Sequence, residues 1–300
     1  MSTDTENLPI YLLGKTPLSL YLADKFSAIG EKAIIVSPPN DISSQEVVIK
    51  EEYNLQKHKF LCQTSSYTFS KAKLLVITSN IQKLKSELLL ISQKNMANTP
   101  CVIFSDKQDI SIAETLVGKP LIRAWFNGWL MQEDKQISLY GNEPEIVLSK
   151  DYNNIENCLS ALALINRCGI KTFSTEEQNN LYWENFAIKI IASMLSAKEQ
   201  QNIAQICKNK EKREIINSLS EEMASLAACN GAHIIVEDIC KKIYAIPSHY
   251  KFTAQELDTS AVRELKHYYH NLINRIAGEK LRLPTLNGLM KEIYLRINPF

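Results

Sequence analysis

The first half of the chain alternates short, wholly apolar runs with segments whose apolar positions recur at helical spacing. Ile10 to Leu13 reads as a buried strand, followed by the turn Gly14-Lys15-Thr16-Pro17-Leu18-Ser19. Past that turn, Leu18, Leu22 and Phe26 share one helical face, and Gly30 stops the helix. Ala33 to Val36 is a second strand, ended by Pro38 and Pro39. Leu74 to Ile77 and Val102 to Phe104 are two more, with a helix expected from about 80 to 93 between them. Strands separated by helices in this way are the βαβ signature of a parallel sheet.

Residues 121–148 change the pattern. Alternation in IRAWFNGWLM and QISLYG predicts two antiparallel strands around a turn at Glu133-Asp134, extending an edge of the sheet. A helix is expected over 153–168, with Gly169 as its C-terminal break. From about 176 onward the spacing is helical, through 177–208, 211–230, 253–280 and 285–297. Asn230-Gly231 ends one of these segments and Pro284 separates the last two, while Thr253 and Glu256 fit a capping box. The expected class is α/β followed by all-α. A Rossmann-type dinucleotide-binding domain occupies 1–165 and an all-helical substrate and dimerisation domain occupies 166–300, the boundary falling between 150 and 178.

Composition narrows the partners. At 300 residues the chain is long for one core, and 45% apolar with 22% charged residues is ordinary globular material. A net charge of +1 offers no electrostatic case for nucleic acid or a membrane surface. No apolar run is long enough to span a bilayer, and the polar, acidic start MSTDTENLP is unlike a secretory signal. The seven cysteines never form C-x-x-C. An odd, scattered set reads as buried free thiols in a reducing compartment, so a cytoplasmic location is expected. His267 and His270 stand beside Glu264 with no third ligand at a useful spacing, so a surface role is expected there rather than a metal. Trp125, Phe126 and Trp129 read as core or as the surface of a homodimer.

The opening strand, tight turn and helix have the layout of a dinucleotide site. Such a site turns backbone N–H groups at the helix N-terminus toward a pyrophosphate, which is why glycines occupy the turn. Of the pattern G-x-G-x-x-G only Gly14 is present. A side chain at Thr16 narrows the phosphate space, and Pro17 removes one donor. The end of the second strand, Val36-Ser37-Pro38-Pro39-Asn40, carries neither an acid for a ribose hydroxyl nor an arginine for a 2′-phosphate.

Three segments carry a family resemblance. Residues 250–290 place Gln255-Glu256, Arg263-Glu264 and Leu283-Pro284 at characteristic intervals. Trp183 to Ala197 reads WENFAIKIIASMLSA, and the opening reads IYLLGKTPLSLYLADKFSAIGEKAIIVSPP. Together they resemble the ketopantoate reductases (2-dehydropantoate 2-reductases), over most of the chain and most weakly between about 40 and 150. The resemblance implies a helical domain like the C-terminal part of 6-phosphogluconate dehydrogenase. It also implies NADPH as hydride donor to a small 2-keto acid, 2-dehydropantoate giving pantoate. Position by position, the family's catalytic lysine falls on Asn185 and its two helix asparagines on Lys189 and Ser193. Its lysine after the third strand falls near Ser79, its Asn-Gly on Asp106-Lys107, its serine loop on Lys251-Phe252, and its glutamate is kept as Glu264.

Asn185, Lys189 and Ser193 are four residues apart and form one row along a helix. Lysine and asparagine have exchanged places along that row, one turn or ~5.4 Å apart. The resemblance therefore implies Lys189 as general acid, with Glu264 and Asn185 positioning the substrate and Ser193 and Lys251 contacting it. Gly14, Lys15, Thr16, Leu18, Ser79 and Asp106 would hold the cofactor, with no metal. Other readings stay open. Lys189 can be a solvent-facing helix lysine and Glu264 a partner of Arg263, Lys266 or His267. The whole chain can also be a catalytically degenerate binding module for a nucleotide or a protein.

Overall fold

The computed structural model describes residues 8–36, 45–53, 55–62, 64–65, 72–78, 99–104, 114, 121–150, 154–252, 265–266, 270, 272 and 281–297. The chain divides into two compact units, Met1–Gln178 and Asn179–Phe300. In the first, β1 (Ile10–Leu13) leads through the turn into α1 (Pro17–Ala28) and back to β2 (Ala33–Val36). Then come β3 (Gln45–Glu51), β4 (Gln56–Cys62), β5 (Thr64–Ser65), β6 (Leu74–Ile77) and β7 (Cys101–Ile103). Long strands β8 (Ile122–Glu133) and β9 (Gln136–Ser149) precede α2 (Ile155–Arg167) and β10 (Lys171–Thr175).

The strands β5-β2-β1-β6-β7-β8 lie side by side, each neighbouring pair parallel. Numbered along the chain without the β3–β4 hairpin, that is the 3-2-1-4-5-6 order of doubly wound dinucleotide folds. The strands are short and apolar because both faces are covered. Ile10 and Leu12 pack on one side with Tyr21, Phe26 and Leu164. Tyr11 and Leu13 pack on the other with Ile34, Val36, Leu75 and Ile77. The order in which strands are added reverses between β1 and β6, and the β1–α1 turn sits at the strand ends there. Such a switch point is where open α/β sheets bind ligands.

β8 and β9 are antiparallel, as their alternation predicts, and Asp134 in the turn has φ 51°. Their register shifts between Asn127 and Trp129. Gly128 lies in that shift, and a Cβ there would stand 2.6 Å from Phe126 Cε1. Its absence seats the Phe126 ring edge-on to Tyr21 of α1, at 6.0 Å between centroids.

Two features are not visible in the sequence pattern. The first is the β3–β4 hairpin, which joins the far side of the sheet by pairing β3 parallel with β9. It is mostly polar, with Val47 and Ile49 buried while Lys57 and Lys59 are exposed on the edge strand. The second is β10, parallel to the C-terminal half of β9. β10 belongs to the sheet and lies within the first compact unit, Met1–Gln178.

The described part of the second unit is helical: α3 (Gln178–Glu199), α4 (Ile203–Ile206), α5 (Lys210–Cys229), α6 (Val236–Tyr244) and α7 (Pro284–Ile297). The single helix expected over 177–208 is broken. Gln200 turns to φ 51°, and the Asn202 side chain accepts from Ala204 N at 2.8 Å to start α4. Pro284 opens α7, and Glu222 of α5 caps it, accepting from Thr285 N at 2.8 Å and Leu286 N at 2.7 Å. The helix expected over 80–93, the Thr253–Glu256 box and Pro38-Pro39 lie outside the described residues, and of the helix expected over 253–280 only Leu265, Lys266, His270 and Leu272 are described, all helical.

Cys101, Cys158, Cys168, Cys207, Cys229 and Cys240 are free, and all except Cys229 are buried. Burial pushes the Cys168 thiol up to about 12 and the Cys207 thiol up to about 11. Both stay protonated and unreactive at neutral pH. Among the described residues no helix is long and apolar enough to cross a membrane.

Candidate functional site

Gly14 takes φ 94°, a left-handed conformation that lets the chain leave β1 and enter α1 within three residues. Thr16 is the N-cap of α1. Its Oγ1 accepts from Ser19 N at 3.1 Å, while Ser19 Oγ accepts from Thr16 N at 2.9 Å and donates to Thr16 O at 2.9 Å. This is a reciprocal capping box with serine in the place of the usual Glu or Gln. The Thr16 hydroxyl donates onward to Thr78 Oγ1 at 2.9 Å, and the Thr78 hydroxyl donates to Leu13 O at 3.0 Å. One directional chain therefore runs Ser19 N–H, Thr16, Thr78, Leu13 carbonyl, tying α1 to the ends of β1 and β6.

Thr78 was not among the residues expected here. It directly follows β6, the strand beside β1, and that adjacency is the signal that would have found it. Ser79, its expected neighbour at the cofactor, lies outside the described residues, as do Asp106 and Glu264.

The far half of α1 is pinned by the β3–β4 hairpin. Glu51 is fully buried and accepts from Tyr21 Oη at 3.0 Å and Tyr53 Oη at 3.2 Å, with Lys25 Nζ at 2.6 Å. Burial, then the Glu51 charge, pushes the Tyr21 phenol well above its usual value, so it stays a donor. Asp24 meets His58 Nε2 at 2.8 Å, and burial raises its carboxyl against the pull of that histidine and of Lys25. α1 is thus held at both ends, and the turn at its start is pre-formed.

That turn favours an anion. It lies at a helix N-terminus whose first turn carries no acidic residue, and Lys15 beside it is half-buried. Its fit to a dinucleotide phosphate is in position and charge. The donors are another matter, since Thr16 N and Ser19 N are engaged by the cap and Pro17 has none. The amide that the cap leaves unengaged is that of Leu18.

In the second unit, α3 carries the row Asn185, Lys189, Ser193, and the three side chains meet different surroundings. Asn185 is half-buried and donates to Leu181 O, one turn back, at 2.9 Å. Lys189 is exposed. Ser193 is fully buried, and its hydroxyl, like that of Ser196, has no hydrogen-bond partner among the described residues. Steps of four residues advance about 40° around a helix of 3.6 residues per turn, so the three side chains do not share one strip of the helix surface. Trp183 is buried, its ring 5.8 Å from that of Tyr182 and 5.7 Å from that of Phe186 on the same helix.

Lys251 is exposed next to buried Phe252. The segment before it is held by Asn202, whose amide donates to Ser248 O at 2.8 Å and Tyr250 O at 2.7 Å. Among the described residues no three His, Cys, Asp or Glu side chains are grouped to hold a metal.

Neither a family model nor a curated protein sequence matches the chain. Solved structures do. A PanE/ApbA family ketopantoate reductase from Ralstonia eutropha JMP134 superposes with TM-score 0.79 at 14% identity, covering 97% of this chain and 99% of that one. D-mandelate dehydrogenase, solved with NADH and anilino(oxo)acetate, gives TM-score 0.79 at 12% identity with the same coverage. A dimeric ketopantoate reductase from Staphylococcus aureus gives 0.76 at 11% identity, covering 97% and 99%. The chain therefore has the ketopantoate reductase fold, a parallel-dominated Rossmann-type sheet unit followed by a helical unit.

Proposed function

We propose that the protein is a nicotinamide-dependent reductase of a small 2-keto acid, with 2-dehydropantoate the first substrate to try. The observation that carries the reading is the β1–Gly14–α1 turn at the switch point of a 3-2-1-4-5-6 sheet. The fold shared with ketopantoate reductase, and with a D-mandelate dehydrogenase solved with NADH, supports the cofactor class. Lys15, the Leu18 amide and the turn around Gly14 would hold the phosphates, with Thr16, Ser79 and Asp106 alongside. NADPH is the proposed form of the dinucleotide. A bound dihydronicotinamide supplies the hydride.

The remaining chemistry belongs to side chains of the helical unit. As hydride reaches the carbonyl carbon, the C=O π pair moves to oxygen, which needs a proton and a nearby positive charge. The Lys189 ammonium meets both needs, giving the 2-hydroxy acid and a neutral lysine. Asn185 and Glu264 orient the substrate, and Ser193 and Lys251 complete its contacts. A homodimer is the proposed assembly, in keeping with the dimeric reductase of the same fold. The protein is proposed to work in the cytoplasm.

The capped turn favours a second reading, a dinucleotide- or protein-binding module without turnover. One experiment separates the two. Full-length protein is mixed with NADPH or NADH and a series of small 2-keto acids including 2-dehydropantoate, following loss of nicotinamide fluorescence. The reductase reading expects turnover with at least one acid. Dinucleotide binding without turnover of any acid would establish the binding module instead.

A further inference from the structure

The turn that should receive a phosphate is closed by its own hydrogen bonds. Two features make the closure specific to this chain. A serine stands at the third helical position, where its hydroxyl both accepts from Thr16 N and donates to Thr16 O. A threonine ends the neighbouring strand, so the Thr16 hydroxyl finds a partner across 62 positions of sequence. Every hydroxyl in the chain Thr16, Ser19 and Thr78 has a donor role and an acceptor role filled. A phosphate reaching this helix start competes for Thr16 N–H and Ser19 N–H with groups already bonded to them.

We propose that Thr16, Ser19 and Thr78 form a latch that sets dinucleotide affinity low: with the box closed a phosphate meets the Leu18 amide but not those of Thr16 and Ser19, and gaining those two breaks the box. The proposal rests on the nicotinamide-dependent reading above. The latch differs from an ordinary helix cap in its consequence. A cap that only stabilises α1 loses stability when removed and improves nothing. A latch loses stability and gains affinity together.

The experiment uses the full chain and three single variants, Thr16→Ala, Ser19→Ala and Thr78→Val, titrated with NADPH and NADH by nicotinamide fluorescence, with thermal melting in parallel. Thr16→Ala and Ser19→Ala are expected to lower the melting temperature and to tighten dinucleotide binding about tenfold, the order of one helix cap. Thr78→Val keeps the box but unties it from β6, and a smaller gain is expected. Unchanged or weaker binding in both cap variants overturns the latch, as does submicromolar binding by the wild type. Tighter binding in the variants with no keto acid turned over keeps the latch and removes the reductase reading. Turnover by the wild type with equal affinities throughout does the reverse. If no form binds either dinucleotide, both ideas fall.

Discussion

The β1–α1 turn and helix α3 handle buried polar groups in opposite ways. In the turn, Leu13, Thr16, Ser19 and the neighbouring Thr78 satisfy one another, and three hydroxyls each fill a donor and an acceptor role. In α3, thirteen residues are buried, including Ser193 and Ser196, whose hydroxyls have no partner among the described residues. The turn is held by short, directional bonds, so its shape is exact but its donors are spent. α3 is held by apolar and aromatic packing, which fixes where the helix lies while leaving hydroxyls uncommitted.

The largest expected effect tests what holds α3. Trp183 is 1% exposed and contacts two aromatic rings, so Trp183→Ala should destabilise by ~3–5 kcal/mol, read by denaturant unfolding. A loss well below that range would mean that packing is not what secures the helix. The smaller test uses three buried serines of the same unit. Ser220 donates to Ile216 O at 2.8 Å, so Ser220→Ala should cost ~1 kcal/mol. Ser193→Ala and Ser196→Ala remove hydroxyls that make no such bond, and should leave stability unchanged or raise it. Equal losses at all three positions would erase the contrast between the two regions.

Much of the sheet unit was legible because apolar runs, turn glycines and alternation report directly on burial. Ile10 to Leu13, Ala33 to Val36, Leu74 to Ile77 and the antiparallel pair after residue 121 all appear as read. The β3–β4 hairpin did not show, because among its described side chains only Val47, Ile49 and Glu51 are buried, too few apolar positions for a strong periodic signal. β10 was hidden for a similar reason, since KTFST is short and mostly polar. At the candidate site, the lone Gly14 and the obstruction at Thr16 were visible, but the bond that closes the turn was not. Thr16 and Thr78 meet only through the pairing of β1 with β6, a long-range contact that local spacing does not encode. The row on α3 was legible as spacing. The change along it from half-buried Asn185 to exposed Lys189 to buried Ser193 depends on packing around the helix.

We propose that Lys189, and not Asn185, where the ketopantoate reductases it resembles carry a lysine, donates the proton in a nicotinamide-dependent reduction. The direct measurement compares wild type with Lys189→Ala in single-turnover reduction of the best keto acid substrate, with dinucleotide affinity measured on the same samples. A positioned acid contributes about 10²- to 10⁴-fold, so the rate should fall by that much while affinity for the dinucleotide holds, because the turn proposed to hold the phosphates belongs to the other unit. A Lys189→Ala protein that reduces the keto acid at the wild-type rate would contradict the account.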